Sequence, residues 1–220
     1  NKKIAGAYRI GDGDYIMQTL GKKGFYLHSL FKMKKSFELV LKQSIELGRS
    51  FVSLDYQNQR LPLFLLWCGI LNYLKNHPKV RYMIGPVSIS NSYSHASKGL
   101  IVKYIKKYHW DAKLAKEVSP RKAFRADTPR LQTEILVDCT NNKLKLLDQL
   151  IEDIDPKHTR IPVLLKKYFA QNAKIISFNV DPNFNQALDG FILTRVKELP
   201  KENFHLFTDT KNIDYANELS

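Results

Sequence analysis

From Leu61 to Leu71 the chain reads Leu-Pro-Leu-Phe-Leu-Leu-Trp-Cys-Gly-Ile-Leu, with no charged side chain. Pro62 suits a first helical position, where its missing N–H is not needed. Residues Leu63 to Leu74 then form a helix apolar on nearly all sides, and His77-Pro78 ends it. A helix without a polar face has to be buried, so it should lie against a sheet. The run is about half of the roughly 20 residues that cross a bilayer, so it is not a transmembrane span.

The rest of the chain must therefore supply a sheet. Its 220 residues suit one elaborated domain and can bury about 70% of the unfolded surface. Strands are expected at residues 3–10, at 44–54 with Gly48 as a possible bulge, at 80–89 with an interruption at Gly85-Pro86, at 174–180 and at 190–197. Further helices are expected at 92–108, 143–154 and 161–171, the last again starting at a proline, Pro162. Gly11-Asp12-Gly13-Asp14 and the stretch Asp181–Asp189 read as turns. Residues 109–142 are the least patterned and read as an insertion with one short helix. Strands both with and without intervening helices point to an α/β fold with a mixed sheet.

Composition excludes several classes. With 44% hydrophobic and 25% charged residues the chain is globular, neither disordered, collagenous nor coiled-coil. Two cysteines, Cys68 and Cys139, build no disulfide framework and suit a reducing cytosol. Cys68, inside the apolar helix, reads as a core thiol rather than a nucleophile. The sequence holds no His-Glu-x-x-His or Cys-x-x-Cys zinc pattern, no phosphate-binding Gly-x-x-x-x-Gly-Lys-Ser/Thr loop and no Gly-x-Ser-x-Gly elbow. No metal is expected. The start, Asn-Lys-Lys-Ile-Ala, lacks a signal peptide's apolar core and a methionine, so a fragment or processed product is expected.

Net charge is +14, and it is lopsided: residues 1–110 carry 18 basic and 5 acidic side chains, residues 111–220 carry 17 and 16. That suggests a basic face for an anionic partner. Candidates are nucleic acid, an anionic membrane surface or an acidic carrier protein. Nucleic acid is disfavoured, since no helix-turn-helix, aromatic RNA-binding or zinc-finger pattern occurs. Lys32, Lys34 and Lys35, with Lys103, Lys106 and Lys107, are the candidate docking residues for carrier or membrane.

The strand Glu46-Leu-Gly-Arg49-Ser-Phe-Val, followed by Leu65-Leu-Trp-Cys-Gly-Ile70, resembles the central block of the GNAT acyltransferase superfamily. In detail it is similar to the ornithine-lipid and glycine-lipid N-acyltransferases, a bacterial branch often labelled "putative hemolysin". Ala5-Gly-Ala-Tyr-Arg9, Met83-Ile-Gly-Pro-Val-Ser88, Pro162-Val-Leu-Leu-Lys-Lys-Tyr168 and Phe178-Asn-Val-Asp-Pro-Asn-Phe184 extend the likeness over residues 5–195. Glu46, Arg49 and Arg9 also match acyl-homoserine-lactone synthases.

The resemblance implies a GNAT-like mixed, mostly antiparallel central sheet flanked by helices, with the insertion 109–142 after the pantetheine-side helix. It implies one domain over 1–220, a C-terminal fragment lacking the first strand and helices: either the chain is truncated, or those elements lie upstream in a larger polypeptide, an upstream fused domain being one candidate partner. It further implies an N-acyltransferase that moves a long, 3-hydroxylated acyl group from acyl carrier protein to the α-amine of a small amino acid, giving a lyso-aminolipid. Glu46 would accept the amine's proton, backbone N–H groups at the bulge would polarise the thioester, and Arg9 and Arg49 would orient a carboxylate. Ser88, Ser90, Asn91 and Ser92 would line the pantetheine slot, with Gln59 and Arg60 at its phosphate end. Tyr93 would be a general acid or ordinary packing.

The loop Gln57-Asn-Gln-Arg60-Leu-Pro62 lacks the glycines that cradle a coenzyme A diphosphate, which favours the carrier-borne donor. No cofactor is bound; acyl-phosphopantetheine on the carrier, or acyl-coenzyme A, is the donor substrate. The expected location is cytoplasmic, peripheral to the inner face of the membrane. The alternatives are an acetyl-coenzyme A-dependent GNAT enzyme and a non-catalytic basic adaptor for membrane or nucleic acid.

Overall fold

The computed structural model describes residues 3–126 and 130–200. Its strands are β1 (Gly6–Asp12), β2 (Phe31–Met33), β3 (Ser44–Val52), β4 (Tyr82–Ile89), β5 (Val118–Pro120), β6 (Lys174–Asp181) and β7 (Ala187–Arg195). The helices are α1 (Gly13–Thr19), α2 (Leu27–Leu30), α3 (Glu38–Lys42), α4 (Leu61–Asn76), α5 (His95–Tyr108), α6 (Ala112–Ala115), α7 (Arg130–Cys139), α8 (Leu144–Ile154) and α9 (Val163–Phe169). Five strands form one sheet in the order β1-β3-β4-β7-β6, and β2 pairs with β5 in a separate ribbon. Within the large sheet only β3 and β4 run parallel; every other pair is antiparallel. This is the mixed, mostly antiparallel sheet flanked by helices that the sequence implied.

Alternating side chains sort the core into two layers. On one face Ile84, Ile176, Phe191 and Leu193 pack against Phe25, Leu27, Phe31, Phe37 and Leu41 from the α1–α3 region and β2. On the other, α4 covers Ile45, Leu47 and Met83 with Ile70, Leu71 and Leu74. Beside it Val87, Ile89, Leu188 and Ile192 meet α5, α8 and α9 through residues such as Leu100, Tyr104, Ile151 and Phe169.

Five sequence expectations change. Gly11-Asp12-Gly13-Asp14 is not a turn, because β1 runs through Asp12, which caps α1 at Gly13. Strand β4 is not interrupted at Gly85-Pro86, because its pairing with β7 continues through both. Asp181–Asp189 is not all turn: Asn185 and Gln186 take positive φ angles of 50° and 54°, a tight reversal, and Ala187 already starts β7. The 109–142 stretch holds α6, β5 and α7 rather than one short helix. The α4 helix is less buried than its composition suggests, since Leu65 is 46% exposed and its first turns run beyond the sheet's cover. With Phe51 and Leu54 also exposed, that end of the molecule is apolar at its surface.

Candidate active site

The parallel pair β3–β4 holds register only at Ser44–Tyr82, Ile45–Met83 and Glu46–Ile84. Three residues explain why it then opens. At Gly85 a Cβ would lie 2.4 Å from the Leu47 carbonyl oxygen, so the strands touch there only because the residue is glycine. Pro86 follows and has no N–H to offer a neighbour. On β3, the pairing with β1 slips between Ala7 and Arg9, opposite a left-handed Arg49 (φ 53°). This bulge increases the local twist and turns β3 away from β4. A slot between the two strands results.

Glu46 lies at the base of the slot. Its side chain is 1% exposed, and its carboxylate accepts hydrogen bonds from the Tyr26 N–H (3.0 Å), the Leu27 N–H (2.9 Å) and the Arg9 guanidinium (2.9 Å). Burial pushes its pKa up, while the two backbone donors and then Arg9 pull it down. The Arg49 guanidinium sits 5.4 Å from the Tyr26 ring centroid. Glu46, Arg9 and Arg49 thus meet around one residue, Tyr26, which the sequence reading did not single out.

Two more acids, Asp181 and Asp189, act electrostatically on Tyr26. On β7, Asp189 pairs across to Ser88 and Asn179. The Ser88 hydroxyl donates to its carboxylate. Burial pushes the Asp189 carboxyl up to about 6, with Asp181 adding to the effect and the Ser88 bond opposing it. Burial, then Asp181 and Asp189, raise the Tyr26 phenol; Arg49 lowers it and Glu46 adds a smaller push upward. The Asn179 Oδ1 accepts the Lys122 N–H at 2.8 Å, and Asp181 accepts the Asn183 N–H at 2.8 Å. The sequence carried one signal for Asp189: a charge inside the apolar run Ala-Leu-Asp-Gly-Phe-Ile-Leu.

Of the expected pantetheine residues, Ser88 reaches this cleft. Ser90 and Ser92 bond each other in the turn after β4, and Asn91 accepts from Lys98 (2.8 Å), so these polar groups serve the turn and the start of α5. Tyr93 donates its hydroxyl to the Arg160 carbonyl. Gln59 and Arg60 are exposed beside the start of α4, whose N-cap Arg60 makes no side-chain capping bond.

Behind the slot lies α9. Its Phe169 ring stacks on His109 at 3.9 Å, and Asn172 just after it donates to the Glu198 carbonyl. Its Tyr168 hydroxyl meets the Tyr8 hydroxyl on β1. The helix so reaches from the β7 side to the edge strand, across the place where β3 and β4 part.

The docking lysines fall into two groups on opposite faces of the sheet. Lys32 belongs to β2, with Lys34 and Lys35 just after it; Lys103, Lys106 and Lys107 are on α5. Lys103 pairs with Glu134 and Lys107 with Asp138, both on α7, and Lys106 lies over Trp110. They do not form one surface.

Residues 1–67 match the acetyltransferase (GNAT) domain family. That stretch contains β1, β3, Arg9, Tyr26, Glu46 and Arg49. The chain is 26% identical over 210 residues to a glycine N(alpha)-acyltransferase of Phocaeicola vulgatus, covering 90% of this chain and 63% of that one. It is 28% identical over 193 residues to a glycine N(alpha)-acyltransferase of Bacteroides thetaiotaomicron, covering 83% and 56%. Its likeness is to glycine acyltransferases. The chain spans about 60% of the length of these curated relatives. No solved structure matches it. The mixed, mostly antiparallel sheet flanked by helices is consistent with a GNAT fold.

Proposed function

We propose that this protein is an N-acyltransferase that moves a long acyl group from a pantetheine thioester to the α-amine of glycine or a similarly small amino acid, giving a lyso-aminolipid. The observation that carries the reading is the parting of β3 and β4 beside a polar cluster of Arg9, Glu46, Arg49, Ser88 and Asp189, which offers both signs of charge. A zwitterionic amino acid has the matching pair of charges. Arg49 would take its carboxylate, and the thioester carbonyl would sit at the bulge. A small acceptor agrees with the names of both relatives.

Acyl carrier protein is the preferred donor. The loop into α4 has no glycine, and Pro62 removes a donor from the first turn, so a diphosphate finds few N–H groups there. Exposed Phe51, Leu54 and Leu65 beside the slot suit a long chain, a 3-hydroxy acyl group included, and a membrane surface into which the product passes. Among the described residues no helix is long and apolar enough to cross a membrane. We place the protein at the cytoplasmic face of the membrane, as a peripheral enzyme.

The test is transfer to glycine from matched long-chain donors, read by mass spectrometry. Acyl carrier protein should support N-acylglycine formation at least tenfold faster than the corresponding coenzyme A ester. Equal rates would overturn the carrier assignment, and acylation by acetyl-coenzyme A alone would replace the long-chain reading.

A further inference from the structure

Asp189 is a buried acid that the folding of the sheet does not require. It is 2% exposed, inside an otherwise apolar strand, between Leu188 and Gly190. One carboxylate oxygen accepts the Ser88 hydroxyl; the other accepts no hydrogen bond among the described residues. That oxygen is not fully enclosed and still meets solvent at the residue's small exposed edge, yet a nearly buried carboxylate held by a single side-chain bond calls for a reason.

Its surroundings supply one. Ser88 pairs with it from β4 and Asn179 from β6, and Asp181 of β6 raises its carboxyl; Asp181, Asp189, Glu46 and Arg49 all act on the Tyr26 phenol, Arg49 lying over its ring, and the Lys122 backbone binds Asn179. Glu46 has little to offer a substrate, since both its oxygens are held by Tyr26, Leu27 and Arg9. Asp181 and Asp189 each keep one carboxylate oxygen that accepts no hydrogen bond among the described residues; Asp189 is the one held by the exposed Ser88 of β4, the strand that parts from β3, whereas Asp181 ends β6 and bonds the turn at Asn183.

We infer that Asp189 binds the ammonium group of the amino-acid substrate and takes its proton, so that it, not Glu46, is the general base. The inference rests on the function proposed above. The Asp189 carboxylate removes one N–H proton from the ammonium. The freed lone pair forms the C–N bond to the thioester carbonyl as the C–S bond breaks. The sulfur leaves as thiolate and gains a proton, the amide keeps one N–H, and one proton goes to solvent. Arg9 and Glu46 position Tyr26 and the bulge. Burial keeps the Asp189 carboxyl near 6, so it accepts a proton readily close to neutrality.

Asp189→Asn tests this. In the wild-type protein kcat/KM for glycine should fall as pH drops below about 6, because protonated Asp189 cannot act as base. The variant should lose about 10²-fold or more in kcat/KM and lose that acid limb, with its thermal melt preserved. A measurement without any variant is a ¹³C titration of the wild-type carboxyl groups. Saturating glycine should lower the Asp189 titration, since a nearby cation favours the charged form, whereas glycolate, which has no ammonium, should not. A folded Asp189→Asn protein with wild-type rate and pH profile overturns the inference while leaving acyl transfer intact. So does an Asp189 titration indifferent to glycine. A wild-type protein that makes no N-acyl amino acid from any donor overturns the proposed function and this inference together.

Discussion

At Glu46 the sequence suggests a base, and the fold shows a carboxylate held by two backbone N–H groups and Arg9. Glu46 and Arg49 were legible in the Glu-Leu-Gly-Arg pattern; the ion pair of Glu46 with Arg9 was not. Nor was the burial of Glu46, because the two N–H groups that hold it come from Tyr26 and Leu27, some twenty residues away. Glu46→Gln puts an amide NH2 where one of these donors needs an acceptor. We expect a loss of about 2 kcal/mol, or roughly 4–8 °C in Tm, in a thermal melt. An unchanged melt with a collapsed kcat would instead return Glu46 to the role of base. Arg49 makes a second residue-scale prediction. Its φ of 53° is strained for a non-glycine residue, so Arg49→Gly should melt no lower than wild type. The same variant should raise KM for glycine at least tenfold, because the guanidinium over Tyr26 is gone. Asp189 was hidden from the sequence reading because the turn before it was drawn too long.

Elements with strong periodicity, such as α8, were legible; those whose form depends on partners were not. The ribbon β2–β5 joins residues 31–33 to 118–120 and exists only once both ends have come together. Pro86 seemed to break β4, yet a proline is tolerated where the neighbouring strand has already departed. Helix α5 depends on a partner too. The buried Asp155, just after α8, accepts the Ser94 N–H, the Ser97 hydroxyl and the Lys157 N–H. Burial pushes its carboxyl up, but these bonds outweigh it and hold the carboxyl well below the usual range. Its stabilising effect is therefore present above the ordinary aspartate pKa near 4 and is lost as pH falls through the lower folded value. Asp155→Ala should cost about 1–3 kcal/mol at pH 7, measured by urea unfolding, and the gap from wild type should narrow in acid. A constant gap from pH 7 down to pH 2 would contradict this account.

At the scale of the molecule, the +14 charge is no single face. Composition could count the lysines but not place them, and the fold puts them in different layers. The α5 lysines occupy its last two turns, roughly 15 Å along the helix from the turn after β4, at ~1.5 Å per residue. Arg60, by contrast, stands exposed at the start of α4, the end at which the proposed carrier-borne phosphate is expected to bind. Arg60→Glu should weaken acyl carrier protein binding about tenfold at low salt, and reversing Lys32, Lys34 and Lys35 should leave it nearly unchanged. The opposite ranking in a titration would move the docking site to the β2 side. The central claim is transfer to an α-amine held in a two-sign cleft, and an acceptor competition tests it most directly. Glycine, ethanolamine and N-acetyl-lysine are offered together at equal concentration with one long-chain acyl carrier protein, and the products are separated by mass. N-acylglycine should dominate, because only glycine carries an ammonium and a carboxylate close enough together to meet Asp189 and Arg49 at once. Equal labelling of ethanolamine, or acylation of the lysine side chain, would contradict the account.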